Sequence, residues 1–176
     1  HLVPDAAFVA PNAPFPSDMA PGGREWLRAR GRDPDSTLAA LREIAPSVDA
    51  FIDEELRKRE LNESDAVLVG FSQGTMTALH VGPRRARPLA GIIGYAGRLI
   101  APHILPEEVL SRPPVLLIHG TADMRVPLSA MTDAEAALRT AGLPVNTQTC
   151  AGVGHSIDED GLVGGAHFLT RIFRAQ

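Results

Sequence analysis

Hydrophobic positions along the chain fall into short blocks with two different periods. Ala6–Ala10 is an apolar run closed by Pro11-Asn12-Ala13-Pro14, and it reads as a short buried strand ending in a loop. Residues 14–37 hold several prolines and glycines with Trp26 among them, which predicts a long surface loop with one helical turn near Glu25 to Arg30. Leu38, Leu41, Ile44, Val48, Phe51, Ile52 and Leu56 then recur at helical spacing. They predict a helix capped by Ser36 or Thr37, running to about Leu61 and kinked or split at Pro46. Ala66 to Phe71 is a continuous apolar run, the pattern of a strand buried on both faces. Helix is expected from Ser72 to about Val81, and strands at Leu89 to Tyr95 and Val115 to His119. A helix from Ser129 to Ala141 is closed by Gly142 and Pro144. Val145 to Cys150 alternates like a strand nearer a sheet edge, and Asp158 to Arg174 reads as the last helix. Strand and helix in alternation predict an α/β fold: a mostly parallel sheet with helices on both faces.

Composition sets bounds on this picture. The chain has 176 residues, 44% of them hydrophobic, which suits one domain with a sizeable core. No apolar run approaches the ~18 residues of a membrane span. Seventeen basic against twenty-one acidic residues leave a net charge of −4, a poor basis for nucleic-acid binding. The single cysteine, Cys150, forms no internal disulfide; it reads as a buried thiol and fits a reduced, cytoplasmic setting. The residues from His1 onward lack the charged and apolar regions of a signal peptide. Arg84, Arg85 and Arg87 read as a solvated basic loop. The phosphate-cradling patterns G-x-x-x-x-G-K and G-x-G-x-x-G do not occur, so nucleotide binding has no support.

Three short segments carry candidate chemistry. Gly70-Phe71-Ser72-Gln73-Gly74 has the form G-x-S-x-G between a predicted strand and helix. Such a turn holds the serine in a strained conformation with its hydroxyl exposed, lets backbones approach at the glycines, and aims the Gln73 backbone N–H at a developing oxyanion. Asp123 follows the strand that ends in His119-Gly120, and His155 follows Gly152-Val153-Gly154. Taken singly, Ser72 reads equally as a helix cap, Asp123 as a loop aspartate bonding its own backbone, and His155 as a surface histidine. Together they change the reading. Each lies just beyond the end of a predicted strand, on the edge where open α/β sheets bind ligands. The order Ser72, Asp123, His155 is that of a nucleophile, an orienting acid and a general base. His119, Asp123 and His155 also form a formal metal-ligand set. The serine-centred arrangement accounts for the same residues, so no metal is expected.

The pattern resembles the phospholipase/carboxylesterase family of α/β-hydrolases, which includes acyl-protein thioesterases. The resemblance rests on Phe8–Pro14, Gly70–Gly74, His119–Asp123 with Val126-Pro127, and Gly154-His155, in the family's order. Gly23-Arg24-Glu25-Trp26 resembles a further family segment, with Trp26 as a candidate apolar wall for an acyl or alcohol group. The resemblance implies a serine hydrolase that cleaves carboxylic esters, first of all short-chain acyl esters, through Ser72, His155 and Asp123. Lysophospholipids and acyl-protein thioesters are the alternative substrates. It implies no cofactor, a small-molecule ester or thioester partner and a cytoplasmic location; oligomeric state is left open, a homodimer included.

One departure bears on completeness. Family members carry an earlier strand ending in a His-Gly loop, which supplies a second oxyanion donor, and nothing like it precedes Ala6. That strand lies between the equivalent of Ala6–Ala10 and the strand ending at Phe71, and its loss leaves backbone groups unpaired on both. The expectation is therefore an N-terminally incomplete α/β-hydrolase domain, the larger part of a longer polypeptide. An incomplete oxyanion hole also raises a reading of another class, a non-catalytic binding protein on a hydrolase fold; retention of all three polar residues argues against it.

Overall fold

The apolar runs from Val67 onward pair into one parallel sheet, seen in a computed structural model that describes residues 6–17, 21–28 and 33–174. In chain order the elements are β1 (Phe15–Pro16), β2 (Arg24–Glu25), α1 (Pro34–Arg59), β3 (Val67–Phe71), α2 (Gln73–Val81), β4 (Gly91–Tyr95), α3 (Leu105–Glu108), β5 (Val115–Gly120), α4 (Ser129–Thr140), β6 (Val145–Cys150) and α5 (Glu159–Arg174). The main sheet runs β3-β4-β5-β6, all parallel, so that strand order in space follows strand order in sequence.

The core lies on both faces of this sheet. Leu79 of α2 and Met131 and Leu138 of α4 cover one face, against Ile92, Val115 and Leu117. Phe168 and Leu169 of α5 cover the other, against Ile93, Tyr95, Leu116 and Ile118. Every residue of β4 and β5 is buried, as the unbroken apolar runs of central parallel strands require. Helix α1 packs beside α2, where its Ile52 and Leu56 meet Val81 and Leu89. Cys150 is buried beneath α5 in the second cluster.

Several expectations need correction. Residues 6–10 form no strand; they run as largely exposed chain, with Phe8 74% accessible, because no strand among the described residues offers them a ladder. Nor is β3 buried on both faces. Leu68 packs against the α1 and α2 side, but β3 is the outermost strand of the sheet among the described residues, and Val69 is 55% exposed. The segment 25–28 holds no helical turn. Instead Arg24–Glu25 pair with Phe15–Pro16 in a small antiparallel hairpin, in which the Arg24 guanidinium donates to the Ala13 and Pro14 carbonyls. Arg30, like His1, lies outside the described residues. Helix α1 starts earlier than Ser36: Asp33 caps it by accepting from the Ser36 N–H (3.0 Å), and Pro34 supplies a preset first turn. Pro46 does not split the helix. It sits on the exposed side, where water can satisfy the carbonyl it leaves unpaired.

The arginine cluster is not a solvated loop throughout. Arg87 is exposed, but the Arg85 side chain is only 8% accessible and pairs with Asp49, Asp53 and Glu63; Arg84 pairs with Glu108. Asp49 and Asp53 lie on α1, far away in sequence, so local composition carries no sign of them. Among the described residues no helix is long and apolar enough to cross a membrane.

His80 gives the fold an acid limit. It is 4% accessible on α2; burial, helped by the Arg84 guanidinium, pushes its pKa down to about 4. The unfolded chain takes up this proton near pH 6.5 and the folded chain only near 4, so stability is full above that window and falls as pH drops through it. His80→Leu should remove this part of the slope, about 3 kcal/mol across the window. Urea midpoints at pH 7 and pH 4.5 check it: the parent should lose more than the variant, and equal losses would rule His80 out.

Candidate active site

The turn between β3 and α2 is built on one contact without side-chain room. A Cβ on Gly70 would lie 2.4 Å from the Gly74 carbonyl and the Thr75 nitrogen, so the first turn of α2 can press against the end of β3 only if residue 70 is glycine. Gly74 differs: a Cβ there meets nothing within 4 Å, so the close approach expected of both glycines belongs to Gly70. Ser72, between them, is held at φ 52°, ψ −112°, outside the helical and extended regions. Its hydroxyl makes no helix cap. It points away from α2 and donates to Nε2 of His155 at 3.0 Å.

Asp123 reaches the same place from the loop after β5. Its carboxylate is fully buried. One oxygen accepts from the backbone N–H groups of Arg125 (2.8 Å) and Val126 (2.9 Å), and the other accepts from His155 Nδ1 at 2.7 Å. Burial alone would raise the carboxyl pKa, but the hydrogen bonds from His155, Val126 and Arg125 outweigh it and hold the group below its ordinary value. An ionised partner at Nδ1 fixes the tautomer: His155 carries its proton there and presents the Nε2 lone pair to Ser72. The Phe71 ring packs against the imidazole, with ring centres 5.0 Å apart.

His155 rides on a loop held tightly to β5. A Cβ on Gly120 would sit 2.2 Å from the Val153 carbonyl oxygen, and the Ala122 N–H donates to that same oxygen at 2.9 Å. His119, the other member of the formal metal set, keeps its Nε2 3.5 Å from the Asp123 oxygen that faces His155. Its Nε2–H donates to the Val126 carbonyl at 2.9 Å, so the proton and not a lone pair faces that loop.

The Gln73 backbone N–H is the first of α2 and has no helical partner upstream, which leaves it available to an oxyanion beside Ser72. Its side chain has partners that the sequence does not announce. Oε1 accepts from the backbone of Trp26 (3.0 Å) and Leu27 (3.3 Å), while Nε2 donates to the Leu27 carbonyl (3.3 Å). Trp26 belongs to an apolar cluster with Leu27, Met76, Ile100 and Ala101 at this end of the molecule. Thr75 is a second residue passed over: its hydroxyl is buried between the carbonyls of Gly70 (2.9 Å) and Tyr95 (2.8 Å), joining the ends of β3 and β4. A threonine in the first turn of a helix carries no signal that would single it out.

A family model described as Phospholipase/Carboxylesterase matches residues 2–172. Esterase YpfH of Escherichia coli (strain K12) is 29% identical over 157 residues, covering 89% of this chain and 66% of that protein. The chain thus spans just under two thirds of that relative's length. Acyl-protein thioesterase 1 of Gibberella zeae is 33% identical over 166 residues, covering 86% of this chain and 71% of the relative. Among solved structures, esterase PE8 superposes with a TM-score of 0.89 at 39% identity, covering 94% of this chain and 78% of that one. With its parallel sheet and its strand–turn–helix serine, the chain belongs to the phospholipase/carboxylesterase family of α/β-hydrolases.

Proposed function

We propose that this domain is a serine carboxylesterase that cleaves short-chain acyl esters through a covalent acyl-enzyme. One observation carries the reading: an unbroken row of hydrogen bonds from Ser72 through His155 to a buried, ionised Asp123. His155 takes the Ser72 proton as Oγ attacks the acyl carbon, and Asp123 steadies the imidazolium that forms. The Gln73 N–H holds the oxyanion. His155 returns the proton to the departing alcohol, and a water activated by the same imidazole then releases the acid. Trp26 and the cluster around it form an apolar wall for the acyl or alcohol part. Lysophospholipids and acyl-protein thioesters are further candidate substrates, since the chemistry at Ser72 is the same for each. The thioesterase name of the Gibberella zeae relative favours including thioesters.

Three measurements test this. The wild-type chain should gain a fluorophosphonate adduct at Ser72 and turn over an activated acetate ester, and Ser72→Ala should lose both. A folded chain that shows neither labelling nor turnover would point to the binding-protein reading. Asp123→Asn should keep the fold and lower kcat on the order of 10³–10⁴-fold, because an amide no longer enforces the tautomer. Gly120→Ala, which touches none of the reacting groups, should displace the loop carrying His155 and cut labelling by about tenfold or more.

A further inference from the structure

We infer that the Gln73 side chain is a positioning residue that sets acyl-chain selectivity, a role separate from that of its backbone N–H. This rests on the esterase reading above. The amide grips the main chain of residues 26 and 27 at three points, accepting from two N–H groups and donating to one carbonyl, across 46 to 47 residues of sequence. Few side chains offer a donor and an acceptor side by side, and a primary amide is the group that matches a peptide's own N–H and C=O. The grip matters because of what lies on either side of it. On one side is Ser72, the neighbouring residue, held at positive φ. On the other is Trp26, which with Leu27, Met76, Ile100 and Ala101 forms the apolar cluster at this end of the molecule.

Among the described residues, the segment that carries Trp26 is tied to the serine turn by hydrogen bonds only through the Gln73 amide. Its own secondary structure is a hairpin of two residues per strand, too short to be stable alone. Leu27 is buried, which anchors the segment in depth, but apolar packing is non-directional and does not fix how far along α2 it lies. The directional bonds from Gln73 do. They fix the distance between the nucleophile and the apolar wall, which sets how long an acyl chain the wall can receive. Removing them should weaken binding of longer acyl chains while leaving the hydrogen-bonded row of Ser72, His155 and Asp123 in place.

Trp26 is the single tryptophan of the chain, so its fluorescence reports the placement of this segment. The experiment compares wild type, Gln73→Ala and Gln73→Glu by acrylamide quenching of that fluorescence from pH 4 to pH 8, alongside KM and kcat for acetate and hexanoate esters. In Gln73→Ala, quenching should rise at every pH, and kcat/KM for hexanoate relative to acetate should fall about tenfold, mostly through KM, as expected for the loss of one to three net hydrogen bonds. Gln73→Glu makes the test sharper. As a protonated acid it keeps both the donor and the acceptor, whereas the carboxylate faces the Leu27 carbonyl with no proton to give. Its quenching should therefore match wild type at pH 4 and lie between wild type and Gln73→Ala at pH 8, where only the bond to the Leu27 carbonyl is lost. Equal quenching in all three proteins, or an unchanged hexanoate-to-acetate ratio, would overturn the inference. Fluorophosphonate labelling of wild-type Ser72 is read separately. If labelling fails while quenching follows the pattern above, the esterase reading falls and the grip on Trp26 stands.

Discussion

The site depends on a hydrogen-bond ladder that does not stop where the strands do. Beyond the last paired residues of the sheet, the Ser72 N–H donates to Tyr95, Ala96 to Ile118, and Thr121 to Cys150, each at 2.9 Å. These bonds carry the register of β3, β4, β5 and β6 into the loops that follow them. A parallel ladder with fixed register sends every strand out at the same edge of the sheet. Ser72, Asp123 and His155 come from three strand ends and still converge because the ladder leaves their loops so little freedom.

On that base the chain holds strain at Ser72, as at Glu60, Ala96 and Ala101, and supports the serine from several sides. A non-glycine residue at positive φ costs about 1–3 kcal/mol. Ser72 is kept there by the Gly70 contact with α2, by its own backbone bond to Tyr95, and by Thr75 lying between the carbonyls at the ends of β3 and β4. The hydroxyl is thereby turned out of α2 and into the reach of His155. The charge at the far end is handled by similar means. Asp123 is removed from water, and two backbone N–H groups with one imidazole N–H offset the cost of burying it.

The parts of this architecture that follow from periodicity were legible in the sequence. β5, β6, α4 and α5 lie within a residue or so of the expected positions, because continuous apolar runs and helical spacing report burial directly. The three polar residues were legible from their placement just past strand ends. What escaped were features set by partners distant in sequence. Ala6 to Ala10 has a strand's composition, but a strand needs a neighbour, and composition does not reveal one. Arg85 looks solvated until its α1 carboxylates are placed. The Gln73 amide and the Thr75 hydroxyl owe their roles to backbone atoms of other segments, which leave no mark in the side-chain pattern. Pro46 shows the converse: a local rule predicts a break, and an exposed position on a long helix tolerates the missing bond.

Strand order in this sheet follows sequence order, and that permits a sequential assembly. Each strand can dock onto the edge left by the one before, with no insertion between strands already paired, which keeps the loops that must close during folding short. The serine turn therefore lies on the first strand of the series, while the histidine bonded to it follows the last. With β6 undocked, Ser72 would lack its bond to His155. The Ser72–His155 bond therefore needs β6 in place, so the integrity of the site is itself a measure of whether the last strand has docked.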